Sequence, residues 1–196
     1  MFKNLKIGVG VCGSFCSLSK LIEVLDELKK TGADIYIILT PEVETLSTRF
    51  FQEDKLQEVL KTYTTHPIVT SIVEAELFGP KIPLDLMLIM PASANALAKI
   101  AHGICDNAVI MSTKATLRNQ KPVVIAFYTN DALGNSGKNI MQLINTKGFY
   151  FVPFGQDDVI QKPKSMVSDH HQVLETMKLA LNGQQIQPMV VTYDEN

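Results

Sequence analysis

The sequence predicts an α/β fold: three layers, with a doubly wound and mainly parallel sheet at the centre and a C-terminal helical extension. Three observations carry that prediction. Short runs that are apolar throughout, such as residues 35–39 (IYIIL) and 123–128 (VVIAFY), suit strands of a parallel sheet covered on both faces. Stretches of helical spacing alternate with these runs, which is the doubly wound pattern. Apolar residues make up 46% of the 196 and charged residues 19%, below the roughly 25% charge typical of soluble domains. That balance excludes disorder and supplies a sizeable core.

The elements follow in order. Residues 5–11 (LKIGVGV) read as the first strand. Residues 14–30 read as a helix, with Leu18, Leu21, Ile22, Leu25 and Leu28 at helical spacing. Gly32 closes it, with Lys29 and Lys30 at the negative end of the helix dipole. Residues 35–39 form the second strand, and residues 42–63 a polar helical region. Residues 84–90 (LDLMLIM) are the third strand, 94–104 a helix and 108–111 a short strand. Residues 123–128 are a further strand, 138–147 a helix stopped by Gly148, and 149–152 the last strand. Residues 167–181 read as the C-terminal helix. Residues 66–83 and 155–165 are the irregular connections. This organisation is Rossmann- or flavodoxin-like, with one domain over 1–155 and an extension over 156–196 packed on it.

The remaining composition narrows the function. Net charge is −2 and the isoelectric point about 6.1, so no basic field is present for nucleic acid or an anionic membrane. Three cysteines, Cys12, Cys16 and Cys105, are an odd number in a long chain and argue against a disulfide framework. The four histidines are scattered, and no metal set is predicted. The start of the chain lacks a signal-peptide pattern and no run reaches a membrane span, so the expected location is the cytoplasm. The mildly apolar composition hints at surface shared between subunits.

In an open α/β sheet, ligands bind beyond the carboxyl ends of the strands. The first strand ends in Gly8-Val9-Gly10-Val11-Cys12-Gly13-Ser14, a literal G-x-G-x-x-G. Two features oppose a dinucleotide there. The strand runs on past Gly8, and the second strand ends in Thr40-Pro41 where an acid should hold the ribose; Asp34 lies at that strand's start. Gly10 to Ser14 fits either a small-residue turn whose N–H groups and hydroxyl suit a phosphate, or a plain turn with Ser14 as N-cap. The third strand ends in Pro91-Ala92-Ser93-Ala94-Asn95. Its small residues permit a flat ligand, and equally Ser93 or Asn95 caps the next helix. With Ser112 and Thr113 after the short strand and Asn130 after the next, neutral hydrogen-bonding groups recur along one sheet edge. No Ser–His–Asp set and no paired carboxylates accompany them, so the rim suits a phosphorylated flat cofactor better than hydrolysis. The catalytic residues are not identifiable.

The segment PASANALAKIAHGICDN (residues 91–107) resembles the signature of the flavoprotein family of homo-oligomeric flavin-containing Cys decarboxylases. The resemblance implies FMN, with its phosphate at Gly13-Ser14 and near Thr40 and its ring beside Ser93-Ala94-Asn95. It also implies a homo-oligomer. Two departures stand out. The family's active-site His is absent, since the corresponding stretch reads Leu77-Phe78-Gly79-Pro80, and of the family's P-A-M-N only Asn130 is kept. Decarboxylation would then need another residue in the histidine's place, a third and minor reading. The segments SIVEAELFGPKIPLD, STKATLRNQKPVV, TNDALGNSGKNIMQL and YFVPFGQDD are similar to a narrower branch, the B-type subunits of dipicolinate synthases. That resemblance implies an oxidoreductase role in making dipicolinic acid in the mother cell of a sporulating bacterium. It also implies an A-type partner subunit, which carries NAD(P). Missing motifs leave an alternative: a vestigial pocket in a chain that activates or stabilises the A-type subunit. Oxidising a cyclic dicarboxylate needs a hydride acceptor and carboxylate anchors, for which Arg118 and Asn130 are the candidates beside Lys114; a solvated helix face fits Arg118 and Lys114 equally.

Overall fold

The structure, a computed structural model, describes residues 1–191. Five parallel strands form the body of the sheet: β1 (Lys6–Val11), β2 (Asp34–Leu39), β3 (Leu86–Ala92), β4 (Val123–Thr129) and β5 (Phe149–Phe151). Two short strands, β6 (Phe154–Gly155) and β7 (Met166–Ser168), complete a seven-stranded sheet in the order β2-β1-β3-β4-β7-β6, with β5 also paired to β4. The outer edge of β4 is thus divided. Its first half pairs with β5 in parallel, and Tyr128 and Thr129 pair antiparallel with β7.

Both faces of the sheet are covered, which is why its strands are apolar throughout. Leu86, Leu88 and Met90 of β3 face one layer, with α1 (Leu18–Lys30), α3 (Glu53–Lys61) and α8 (Val173–Leu181). Met87 and Ile89 face the other, with α5 (Ala94–His102), α6 (Ala108–Arg118) and α7 (Gly137–Ile144). In α1, Leu18, Leu21, Leu25 and Leu28 make one buried stripe. Gly32 follows at φ +79°, a left-handed stop that favours glycine.

Three expectations need correction. Residues 108–111 are no strand: they open α6, capped by Asn107, whose side-chain oxygen accepts from the Ile110 N–H at 3.1 Å. An apolar run of four residues has no period of its own, and the Asn cap decides it. Residues 42–63 are helical only in part: α2 (Pro41–Thr45) and α3 are separated by residues 46–52, which lie outside any helix. Residues 167–181 begin as β7 and turn through a capped 3-10 segment at His170–Gln172 before α8 starts. The extension therefore adds a strand to the sheet as well as a helix. Ser168 anchors it by accepting the Phe127 N–H at 2.9 Å. Another short helix, α4 (Ile72–Ala75), lies in the long connection before β3 and carries a Ser71–Glu74 capping box. No helix among the described residues is long and apolar enough to cross a membrane.

Candidate functional site

The carboxyl ends of β1 and β2 meet at one point. The Thr40 N–H donates to the Val11 carbonyl at 3.1 Å, and the Thr40 carbonyl accepts from Val43 and Glu44. Thr40 is 4% exposed. Although it stands at the N-cap of α2, its side chain makes no cap bond. Its Oγ1 is buried with no hydrogen-bond partner among the described residues. A buried hydroxyl left unpaired costs about 1–3 kcal/mol, so this atom is free to meet a water or a ligand.

Beside it, β1 runs into Cys12-Gly13-Ser14. Ser14 does not cap the following 3-10 turn. Its hydroxyl instead donates to the Tyr128 carbonyl at 3.1 Å, tying the β1 turn to the end of β4. Cys12 is fully buried, and burial pushes its thiol up to about 12 against a weaker lowering by a backbone hydrogen bond with Ser93. It is a packing residue that links the ends of β1 and β3. At the end of β3, Ser93 caps α5 by accepting the Ala96 N–H at 3.3 Å. Ala94 is half-buried and Asn95 exposed.

A cleft of about 260 Å³ opens between the start of α1 and the end of β4, lined by Ser14, Ser17, Lys20, Thr129, Asn130 and the extension's Lys162. The Lys20 ammonium lies 5.2 Å from the Tyr128 ring centroid. Asp157 of the extension also faces this cleft and pairs with Lys162 at 3.6 Å. Ser165 donates to the Asn130 amide oxygen at 3.4 Å. The Asp131 carboxylate accepts from Ser136 and Asn135, which holds it below the usual carboxylate range and fixes the turn beyond Asn130. The cleft thus combines hydroxyls, an amide and two lysines against one carboxylate. That set suits an anion with polar groups attached. It contains no histidine and no carboxylate pair suited to acid–base work.

Of the residues predicted from sequence, Gly13, Ser14, Thr40, Ser93, Ala94, Asn95 and Asn130 lie along this edge. Four do not. Gly10 sits inside β1, where a Cβ would come within 2.8 Å of the Val109 and Met87 side chains; it is small so that α6 can pack on the sheet. Ser112 and Thr113 are buried in α6 and donate to the Ala108 and Val109 carbonyls, both at 2.8 Å. Arg118 ends α6 and precedes the amino end of β4, opposite the edge. His66, to which the sequence assigns no role, stacks on Tyr36 at 4.0 Å and bonds Asp34 at 2.6 Å at the amino end of β2. Sequence reasoning misses Ser17 and Lys20. Their signal is the spacing Ser14, Ser17, Lys20, which turns three polar groups to one side of a helix start.

The chain is similar to known proteins over nearly its whole length. The family model described as Flavoprotein matches residues 1–178. The B subunit of dipicolinate synthase from Bacillus subtilis (strain 168) is 41% identical over 189 residues, covering 96% of this chain and 94% of that protein. The crystal structure of the dipicolinate synthase B subunit from Bacillus halodurans C superposes with a TM-score of 0.90 at 43% identity, covering 97% of this chain and 98% of that one. The FMN-dependent cysteine decarboxylase SpaF shares the fold, with a TM-score of 0.69 at 24% identity over 93% of this chain and 99% of the other.

Proposed function

The chain belongs to the Flavoprotein family, and from that premise we propose that it is the flavin-carrying B-type subunit of a dipicolinate synthase, binding FMN at the carboxyl edge of the sheet. The observation that carries the reading is the Thr40 hydroxyl, buried and unpaired beside the Gly13-Ser14 turn. A phosphate placed there takes the Thr40 hydroxyl and the Gly13 N–H, the Ser14 N–H being spent on the Cys12 carbonyl at 2.7 Å, with Lys20 of the neighbouring cleft as the compensating charge. Ser93, Ala94 and Asn95 lie where a flat ring approaches the backbone, and Asn130 offers an amide to whatever is held against that ring. When bound, the flavin supplies a two-electron acceptor for oxidation of a cyclic dicarboxylate. The chain's own groups bind, orient and exclude water. The reaction converts a dihydrodipicolinate-pathway intermediate to dipicolinic acid during sporulation, in the cytoplasm of the mother cell. The partner is an A-type subunit, which brings NAD(P), and the chain itself assembles as a homo-oligomer.

A second reading has a specific observation in its favour. The Leu77–Pro80 stretch, where decarboxylases of the family carry their histidine, is structural here. Phe78 is 2% exposed and packs edge-on against Tyr36 at 5.5 Å. A chain without its own acid or base would support the A-type subunit without chemistry of its own. Titrating the purified chain with FMN, then assaying it with each nicotinamide cofactor and an A-type subunit, separates the readings. Flavin bound at about micromolar affinity and required for dipicolinate formation supports the first. Full product formation by a chain that binds no flavin supports the second.

A further inference from the structure

On the α6 side of the sheet, at the end away from the flavin edge, Lys114 and Arg118 stand one helical turn apart and line a cavity of about 320 Å³. Residues at this spacing share a helix face. Glu76, from the 3-10 turn after α4, lines the same cavity. Met111, Ala115 and Pro80 supply the apolar wall. None of the three charged side chains takes part in an ion pair or side-chain hydrogen bond among the described residues. Two cations and a carboxylate therefore border one space without closing on each other, which leaves room for a small charged ligand.

The surroundings hold that space in shape. The Asn119 amide donates to the Phe78 and Gly79 carbonyls at 3.1 and 2.9 Å, pinning the loop to the end of α6. The Arg118 guanidinium lies over Gly79 where any Cβ would overlap it.

We propose that this cavity binds a small cyclic dicarboxylate bearing a protonated ring nitrogen, distinct from the flavin edge. Lys114 and Arg118 each take one carboxylate, and Glu76 accepts from the ring N–H. The ligand's two negative charges and one positive charge mirror the two cations and one anion of the wall. The choice of a pathway dicarboxylate rests on the reading of the chain as a dipicolinate synthase subunit; the charge pattern of the cavity does not.

Calorimetric titration of the purified full chain with piperidine-2,6-dicarboxylate tests the site. Cyclohexane-1,3-dicarboxylate, which lacks the nitrogen, is the comparison ligand. Binding of the piperidine is expected to weaken roughly ten-fold in Lys114→Gln and in Arg118→Gln, the loss of one charged hydrogen bond each. Glu76→Gln is expected to erase the preference for the nitrogen-bearing ring and leave the cyclohexane ligand unaffected. FMN titration of the same variants is expected to match wild type, which also shows that they fold. No heat with piperidine-2,6-dicarboxylate up to about 10 mM, the millimolar limit of weak binding, overturns the proposal. So does unchanged affinity in both cation variants. Flavin binding that fails while the dicarboxylate still binds counts against the flavin reading and leaves this site standing.

Discussion

The carboxyl edge at Thr40 and the interior of α6 contain the same chemistry in opposite states. Both present buried hydroxyls. In α6, Ser112, Thr113 and Thr116 each donate to the carbonyl four residues back, at 2.8 Å. Their potential is spent inside the helix. Thr40 has the same group, also buried, and nothing bonds it among the described residues. A hydroxyl counts toward a ligand site when the fold leaves it without a partner, and residue type does not tell the two apart. The same contrast separates Gly10, filled against by α6, from Gly13, where a Cβ would meet only ordinary contacts at 3.5 Å and beyond.

The contrast can be broken at several points. The largest effect is expected at Gly10. Gly10→Val drives a side chain into Val109 and Met87. Overpacking of this kind costs about 1–3 kcal/mol, which lowers the melting temperature by roughly 2–10 °C for a chain of this size. Flavin binding per folded molecule stays unchanged if Gly10 is a packing glycine, and falls if it is part of the cradle.

Thr40→Val removes the unpaired hydroxyl at nearly constant volume. The chain without flavin is expected to hold its melting temperature or to gain by up to about 1 kcal/mol, because a buried unsatisfied group is gone. A clear loss of stability in thermal unfolding would mean the hydroxyl has a partner within the protein. Ser14→Ala removes the bond to the Tyr128 carbonyl and is expected to cost about 1 kcal/mol in denaturant unfolding, with a few-fold loss of FMN affinity at most, since this hydroxyl is already spent within the protein.

The smallest effect concerns the cysteines. Burial pushes the Cys12 thiol from 9.0 to about 12, so it stays protonated at pH 8 while the exposed Cys16 is open to reagent. Iodoacetamide followed by peptide mass spectrometry is expected to label Cys16 and spare Cys12. Linkage has a definite sign here. Above pH 9 the unfolded chain gives up this proton first, so the contribution is intact below pH 9 and declines toward 12. Cys12→Ala flattens that decline in a melting-temperature profile.

Much of the fold is legible in the sequence because its signals are local. Strands covered on both faces must be apolar along their length, and IYIIL and VVIAFY say so directly. The stripe of α1 and its Gly32 stop are equally local. Residues 108–111 mislead because AVIM fits a strand or a buried helix turn, and only Asn107 ahead of it marks the helix. β7 is hidden because three residues of strand pairing with β4 are a tertiary fact. The edge itself follows from topology, so Ser14, Thr40, Ser93 and Asn130 can be found. What the sequence withholds is bonding: that the Ser14 hydroxyl is spent on β4 and that the Thr40 hydroxyl is not. Lys162 and Asp157 enter the cleft from the extension, a juxtaposition no spacing along the chain encodes.

The most direct test is a matched FMN titration of wild type, Thr40→Val and Thr113→Val, followed by flavin fluorescence quenching. Thr40→Val is expected to lose affinity roughly ten-fold or more, corresponding to about 1–3 kcal/mol, while Thr113→Val keeps wild-type affinity. Equal affinity for all three proteins, or a loss confined to Thr113→Val, would contradict a flavin site built on the Thr40 hydroxyl.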